Sequence, residues 1–297
     1  MTGRRCSDMA GKRDIDMLRF YGGDIRKRTE DGKLLIMSSL KNFRDQKDLL
    51  WGDKDAYRTL NALLFDGYEN EKERIFQEKR QLNPVFIELI EETLSIYTGV
   101  FAVMCQNKEK PSAVSRVKRV DRKASLNAYM KGYTESFVSC TKKNYMEEFA
   151  NKNNVILLEI EAPGNSPYAD YQQVVTEEEY SNYAEQEVLF PPFLSLNIEK
   201  TELTKWERHI KDMHGHSPVG KYLLKMGEFP DYRKTITASK EELLDKIIST
   251  RNVAALSLKN MNAGMWENDY QEYVDWKDNL HNYLKLAYSD MWYGEKE

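Results

Sequence analysis

Residues 155–161 read Val155-Ile156-Leu157-Leu158-Glu159-Ile160-Glu161, and this short stretch decides the fold class. Four consecutive aliphatic side chains followed by alternating Glu and Ile carry the period of two that belongs to a β-strand. An unbroken apolar start predicts a strand covered on both faces. The cluster Pro163-Gly164-Asn165-Ser166-Pro167 ends it, because these residues favour turns and cannot continue a ladder. Working outward, the same period marks residues 112–119, 135–140, 187–190 and 193–198 as further strands.

On either side of these strands the period becomes helical. Asp55 can cap a helix over residues 55–65, with Tyr57, Leu60 and Leu64 on one face. Asn83 is a good N-cap and Pro84 suits the first helical position. Phe86, Leu89, Ile90, Thr93 and Tyr97 then align, Glu91 and Glu92 face water, and Gly99 stands where the helix is expected to stop. Past residue 200, Thr201 is a candidate cap for Leu203, Trp206 and Ile210, and Ser239 for Leu243, Leu244, Ile247 and Ile248. A last helix is predicted over residues 267–288, with Tyr270, Tyr273, Trp276, Leu280, Tyr283 and Leu284 inward as core. Helices, then strands, then helices again make the class α+β. The expected segments are a basic extension (1–50), a catalytic domain (51–200) and a helical extension (201–297).

Bulk properties narrow the function. The 297 residues suffice for a sizeable core, and 18 Tyr and 5 Trp exclude wholesale disorder. A net charge of -4 gives no general attraction to nucleic acid or to an anionic membrane. The basic N-terminal residues, Arg4 to Arg28, read as a solvated face. No apolar run approaches the roughly 20 residues of a membrane span, and the first residues lack a signal's apolar region. The expected location is therefore the producing cell's cytoplasm, or a target cell reached by a non-classical route. Cys6, Cys105 and Cys140 are too sparse for a disulfide framework. His209, His214 and His216 lack the spacing of a metal site, so no metal is expected.

Three pieces carry chemistry when taken in order. Val114-Ser115-Arg116-Val117 places an arginine on a strand, with Arg119 as a rival three residues on. Ser136-Phe137-Val138-Ser139-Cys140-Thr141 is a strand ending in a hydroxyl-rich turn. Tyr183-Ala184-Glu185-Gln186-Glu187-Val188-Leu189-Phe190-Pro191-Pro192 sets two carboxylates at the entry of an apolar strand. If that strand already begins at Glu185, the two carboxylates lie on one face.

This ordered set resembles the arginine-serine-ExE clade of mono-ADP-ribosyltransferases, where an arginine strand, a Ser-Thr-Ser-type turn and a Glu-x-Glu before an apolar strand follow one another. The resemblance covers roughly residues 50–200, including the helix around Tyr57 to Leu64 and the one from Phe86 to Tyr97. It implies a two-sheet β core and NAD⁺ as co-substrate, without a metal. Glu187 is implied as the NAD-cleaving carboxylate, Glu185 as the reader of an acceptor arginine, and Ser139 as the hydroxyl beside Glu187. Arg116, Ser139, Thr141, Phe149 and Glu187 are implied to bind the cofactor; Arg119 stays open as the alternative, since Val117 follows Arg116 where the family usually has Gly. Tyr180 and Tyr183, with Glu185, are expected to face a target protein bearing an arginine, and Tyr145 is a second aromatic candidate beside Phe149. The clade includes bacterial toxins, so an effector role is the matching expectation. The residues alone leave open a transfer to nucleic acid, to a small guanidine or to water. They also leave open a non-catalytic helical interaction protein.

Overall fold

A computed structural model describes residues 11–22, 53–65, 82–106, 116–144, 154–176, 185–212, 214–264 and 270–294. Two compact units emerge, one from residues 1–103 with 231–297 and the other from residues 104–230. They cut across the segments 1–50, 51–200 and 201–297 that the sequence suggests.

The second unit holds the sheet. Its strands are β1 (Val117–Arg122), β2 (Val138–Thr141), β3 (Val155–Glu161), β4 (Ala169–Asp170), β5 (Glu187–Phe190), β6 (Leu196–Thr201) and β7 (Gly220–Met226). Their order across the sheet is β4-β5-β2-β1-β3-β7-β6. β3 lies antiparallel to β1 and parallel to β7, and Val155, Ile156, Leu157, Leu158 and Ile160 are all fully buried. That burial is what an apolar run without polar interruption demands of a strand with neighbours on both edges. The α+β class stands, with helices before and after the sheet. The two expected sheets, however, are hydrogen-bonded into one. β4-β5-β2 and β1-β3-β7-β6 join through a single pair, Lys118↔Thr141, so the ladder is continuous but thin at this junction.

Two expectations after β5 change. Thr201 ends β6 rather than capping a long helix. Thr204 and Glu207 instead form a reciprocal cap: the Thr204 N–H donates to Glu207 Oε2 at 2.8 Å and the Glu207 N–H to Thr204 Oγ1 at 3.2 Å. One short 3₁₀ turn (Glu207–His209) follows, and Leu203 and Ile210 to either side of it pack against the buried cluster of Val120, Val155 and Leu157. β7 also lies in what reads as part of the helical extension, residues 201–297. Its Lys221 hides the strand signal, being buried against Glu207 (2.9 Å) and Glu159 (3.0 Å).

The first unit is helical: α1 (Lys12–Gly22), α2 (Asp53–Ala62), α3 (Val85–Glu88), all but the last two residues of α4 (Ile90–Cys105), α5 (Lys240–Asn262) and α6 (Tyr270–Tyr293). α5 starts at Ser239 as expected, in a capping box with Glu242. The aromatic stripe of α6 is core: Tyr273, Trp276, Leu280 and Leu284 are buried, and Trp276 Nε1 donates to the Ile247 carbonyl at 3.0 Å. Tyr288 stacks on Phe101 with centroids 4.0 Å apart. Gly99 does not stop its helix. A Cβ there would lie 2.7 Å from Met17 Cγ, so the glycine serves close packing against α1 inside a continuous α4. The break falls earlier, at Leu89, where Thr93 Oγ1 turns back to donate to the Phe86 carbonyl at 2.6 Å.

Candidate active site

β2 is the element on which the candidate site is assembled. Buried Val138 and Cys140 alternate with half-buried Ser139 and Thr141, as a strand covered on one face requires. β5 runs antiparallel beside it in the register Ser139↔Leu189 and Thr141↔Glu187. Ser139 and Glu187 are therefore diagonal neighbours on one face, within reach of a hydroxyl and a long carboxylate. The Ser139 hydroxyl donates to Glu187 Oε1 at 2.5 Å. A bond this short to an ionised acceptor is the strong, charge-assisted kind, and it fixes which way the carboxylate faces.

Glu185 is held differently. The strand begins at Glu187, and Gln186 before it takes a left-handed conformation (φ 52°). The condition under which alternation would set both glutamates on one face is thus not met. The backbone of this turn is gripped by the end of β2 instead. Thr141 Oγ1 accepts the Lys143 N–H at 3.0 Å and donates its one proton to the Glu185 carbonyl at 2.5 Å. The Lys142 N–H donates to the Gln186 carbonyl at 3.2 Å.

The two arginines on or beside β1 part company. Arg116 is exposed and pairs with Glu161, its Nη2 lying 2.6 Å from Oε1. Arg119 is half-buried, donates from Nη1 to the Ser139 carbonyl at 2.6 Å, and is braced by Asp121, which its Nε reaches at 2.9 Å. Asp121 also accepts from the hydroxyls of Ser125 (2.9 Å) and Tyr129 (3.0 Å). Burial pushes the Tyr129 phenol well above its ordinary range, so it remains a donor to Asp121 at neutral pH. The geometry therefore brings together Arg119, Ser139, Thr141 and Glu187, with Glu185 tied on by its carbonyl. It does not bring Arg116 to Ser139. Tyr145, Phe149, Tyr180 and Tyr183 lie outside the described residues.

Sequence reasoning passed over three members of this arrangement. Asp121 follows Arg119 at i+2 on the same strand, a spacing that signals a side-chain pair. Lys142 and Asp170 carry no local signal, because their ion pair at 2.7 Å spans 28 residues. A donor set of one braced guanidinium, a hydroxyl and an oriented carboxylate suits a dinucleotide: a cation for a diphosphate and oxygens for a ribose diol. Among the described residues, no group of three His, Cys, Asp or Glu is placed to hold a metal ion. No helix among them is long and apolar enough to cross a membrane.

No protein-family model matches the sequence, and no curated protein does. Several solved structures are similar to the chain. The catalytic domain of VahC from Aeromonas hydrophila is 15% identical, with a TM-score of 0.32 over 65% of this chain and 100% of its own. The Salmonella SpvB ATR domain is 13% identical, with a TM-score of 0.36 over 73% of this chain and 100% of its own. BECa, an ADP-ribosylating toxin of a binary enterotoxin of C. perfringens crystallised with NADH, is 14% identical, with a TM-score of 0.30 over 92% of this chain and 65% of its own. Likeness at these values speaks to neither activity nor substrate.

Proposed function

We propose that this chain transfers ADP-ribose from NAD⁺ to an arginine of a target protein, releasing nicotinamide. One observation carries the reading. Ser139 contacts Glu187, 48 residues away, through its hydroxyl and Arg119, 20 residues away, through its carbonyl. Three separate stretches of the chain thus meet at one residue, and together they supply a cation, a hydroxyl and a carboxylate.

Breaking the bond between nicotinamide and ribose develops positive charge on the sugar, and a carboxylate beside it lowers the barrier. Glu187, held by Ser139, takes that role and accepts from the ribose 2′-hydroxyl. Arg119 supplies a fixed cation for the diphosphate; the bracing by Asp121 sets its plane in advance. Glu185 meets the incoming guanidinium, which forms a two-pronged pair with a carboxylate, and takes up the proton released when its nitrogen joins the ribose. A role as an effector delivered into another cell is the wider proposal and rests on the resemblance of the motif.

The test uses the full chain with NAD⁺ and agmatine, a small guanidine acceptor. Nicotinamide release and ADP-ribosyl-agmatine are measured together. Glu187→Gln is expected to lose both by about a hundredfold or more, the scale of removing a group that stabilises transition-state charge. Glu185→Gln is expected to lose transfer while keeping NAD⁺ hydrolysis. Full activity in Glu187→Gln sinks the assignment, and equal loss of both reactions in Glu185→Gln undoes the division of roles.

A further inference from the structure

The turn at Glu185-Gln186 is held where the β2–β5 ladder ends, by one bond that continues the pairing and one side-chain bond that does not. Gln186 has φ 52°, a conformation that costs a non-glycine residue energy and persists only where its surroundings enforce it. The enforcing contacts come from two consecutive residues of one chain segment, the Thr141 hydroxyl on the Glu185 carbonyl and the Lys142 N–H on the Gln186 carbonyl. Lys142 is in turn anchored by its side chain. Its Nζ donates to Asp170 Oδ2 at 2.7 Å and to Gln172 Oε1 at 3.3 Å. Asp170 is only 1% exposed and sits on β4, paired with Val188, the residue that follows Glu187.

A carboxylate this buried is not placed for solubility. Desolvating it is costly unless a cation compensates, so Asp170 holds Lys142 where it lies. Lys142 then cannot drift without leaving a buried charge behind, and its N–H stays on the Gln186 carbonyl. Asp170 thereby reaches both glutamates by separate routes. Its backbone lies beside Val188, next to Glu187. Its side chain acts through Lys142 on the turn that bears Glu185.

We infer that the Asp170–Lys142 ion pair is a positioning element for Glu185, holding the left-handed turn at Gln186 so that the acceptor-binding carboxylate is set independently of the NAD-cleaving one. This rests on the roles proposed above for Glu185 and Glu187. Asp170 and Lys142 touch neither substrate; they act through the backbone of residues 185 and 186. The arrangement separates two tasks that a plain i, i+2 strand pair would lock together. Glu187 takes its position from Ser139, and Glu185 takes its position from the turn.

The test compares the wild-type full chain with Asp170→Asn and Lys142→Arg, assaying NAD⁺ hydrolysis and transfer to agmatine under the same conditions. Asp170→Asn keeps the shape but removes the charge that holds Lys142, and Lys142→Arg keeps the cation. Asp170→Asn is expected to lower the ratio of transfer to hydrolysis about tenfold, mainly through KM for agmatine, since small misplacement of a positioned group has effects of this size. Lys142→Arg is expected to keep that ratio within about threefold of wild type, because a guanidinium also pairs with a carboxylate. An unchanged ratio in Asp170→Asn, or both reactions falling by the same factor, overturns the inference while the proposed function stands. A wild-type chain that releases no nicotinamide from NAD⁺ overturns the proposed function and the inference with it. Should Asp170→Asn fail to fold, Lys142→Met is read in its place, with the same drop in ratio expected and the same results overturning the inference.

Discussion

Removing one oxygen atom tests the centre of the site most directly. Ser139→Ala deletes the hydroxyl that donates to Glu187 Oε1 at 2.5 Å and leaves the Ser139 carbonyl, which Arg119 uses, in place. A hydrogen bond to a charged group contributes about 1.5–3 kcal/mol when its partner is desolvated. Ser139 and Glu187 are only half-buried, so the lower half of that range applies here. About 1.5–2 kcal/mol corresponds to roughly 10- to 30-fold in rate, at 1.36 kcal/mol for each factor of ten. The loss should fall on kcat, because the hydroxyl orients a carboxylate whose work is done in the transition state, while KM for NAD⁺ changes little. Steady-state nicotinamide release over a range of NAD⁺ concentrations separates the two, with the thermal midpoint as a check on folding. A folded Ser139→Ala protein with wild-type kcat would refute the claim that this hydrogen bond positions the cleaving carboxylate.

Arg119→Lys should raise KM for NAD⁺ by about tenfold more than Arg116→Lys does, because a lysine cannot reproduce the fork held by Asp121 and Ser139; the reverse order would return the diphosphate to Arg116. Away from the site, Lys221→Met strands the buried Glu207 and should cost about 3 kcal/mol or more in urea unfolding, whereas the double variant with Glu207→Gln should cost less. Equal costs for the single and double variants would contradict this. The pH dependence has a definite sign. Burial alone would raise the Glu207 carboxyl, but hydrogen bonds from Thr204 and Lys221 outweigh it and hold the group below its ordinary range. Its contribution is therefore present above that range and is lost as pH falls through the depressed value. Burial alone would lower Lys221, yet Glu207 and Glu159 hold it above its ordinary range, so its contribution is lost only as pH rises through the raised value. Urea midpoints against pH should show the plateau between these limits, and Glu207→Gln should flatten its acid edge. An acid edge identical to wild type would count against the pairing.

What could be read in the sequence followed from how local each cause was. β3 and β5 match the predicted residues 155–161 and 187–190, because their apolar runs are self-contained signals. The capping box at Ser239 is equally local. β7 was hidden because Lys221 and Lys225 interrupt its pattern, and what makes Lys221 acceptable inside is a pair of glutamates 14 and 62 positions earlier in the chain. Gly99 was misleading for a related reason: a glycine ends a helix or admits a neighbour, and only the presence of Met17 decides between them. The site divides along the same line. Ser139 and Glu187 were legible from their motif, whereas Arg119 is separated from Arg116 only by which of them reaches β2. The ion pair of Lys142 with Asp170 has no trace in either residue's surroundings.

The candidate site depends on β2 throughout, so its residues are placed only as a set. One four-residue strand supplies Ser139 to Glu187, the Ser139 carbonyl to Arg119 and Thr141 to Glu185, and the next residue, Lys142, reaches Gln186 and Asp170. A slip of one residue in the β2–β5 register would turn Ser139 and Thr141 to the opposite face and break every one of these side-chain contacts at once. What prevents the slip is apolar. Val138 and Cys140 are buried on the other face, opposite Phe190 and Val188, which are fully buried. Moving β2 by one would turn Val138 and Cys140 away from Phe190 and Val188 and bring Ser139 and Thr141 against them, losing roughly 25 cal/mol per Å² of apolar surface exposed and adding the desolvation of two hydroxyls. Chemistry on one face of β2 is thus specified by hydrophobicity on the other. The apolar run Val188-Leu189-Phe190 that follows Glu187 is therefore part of what defines the candidate site.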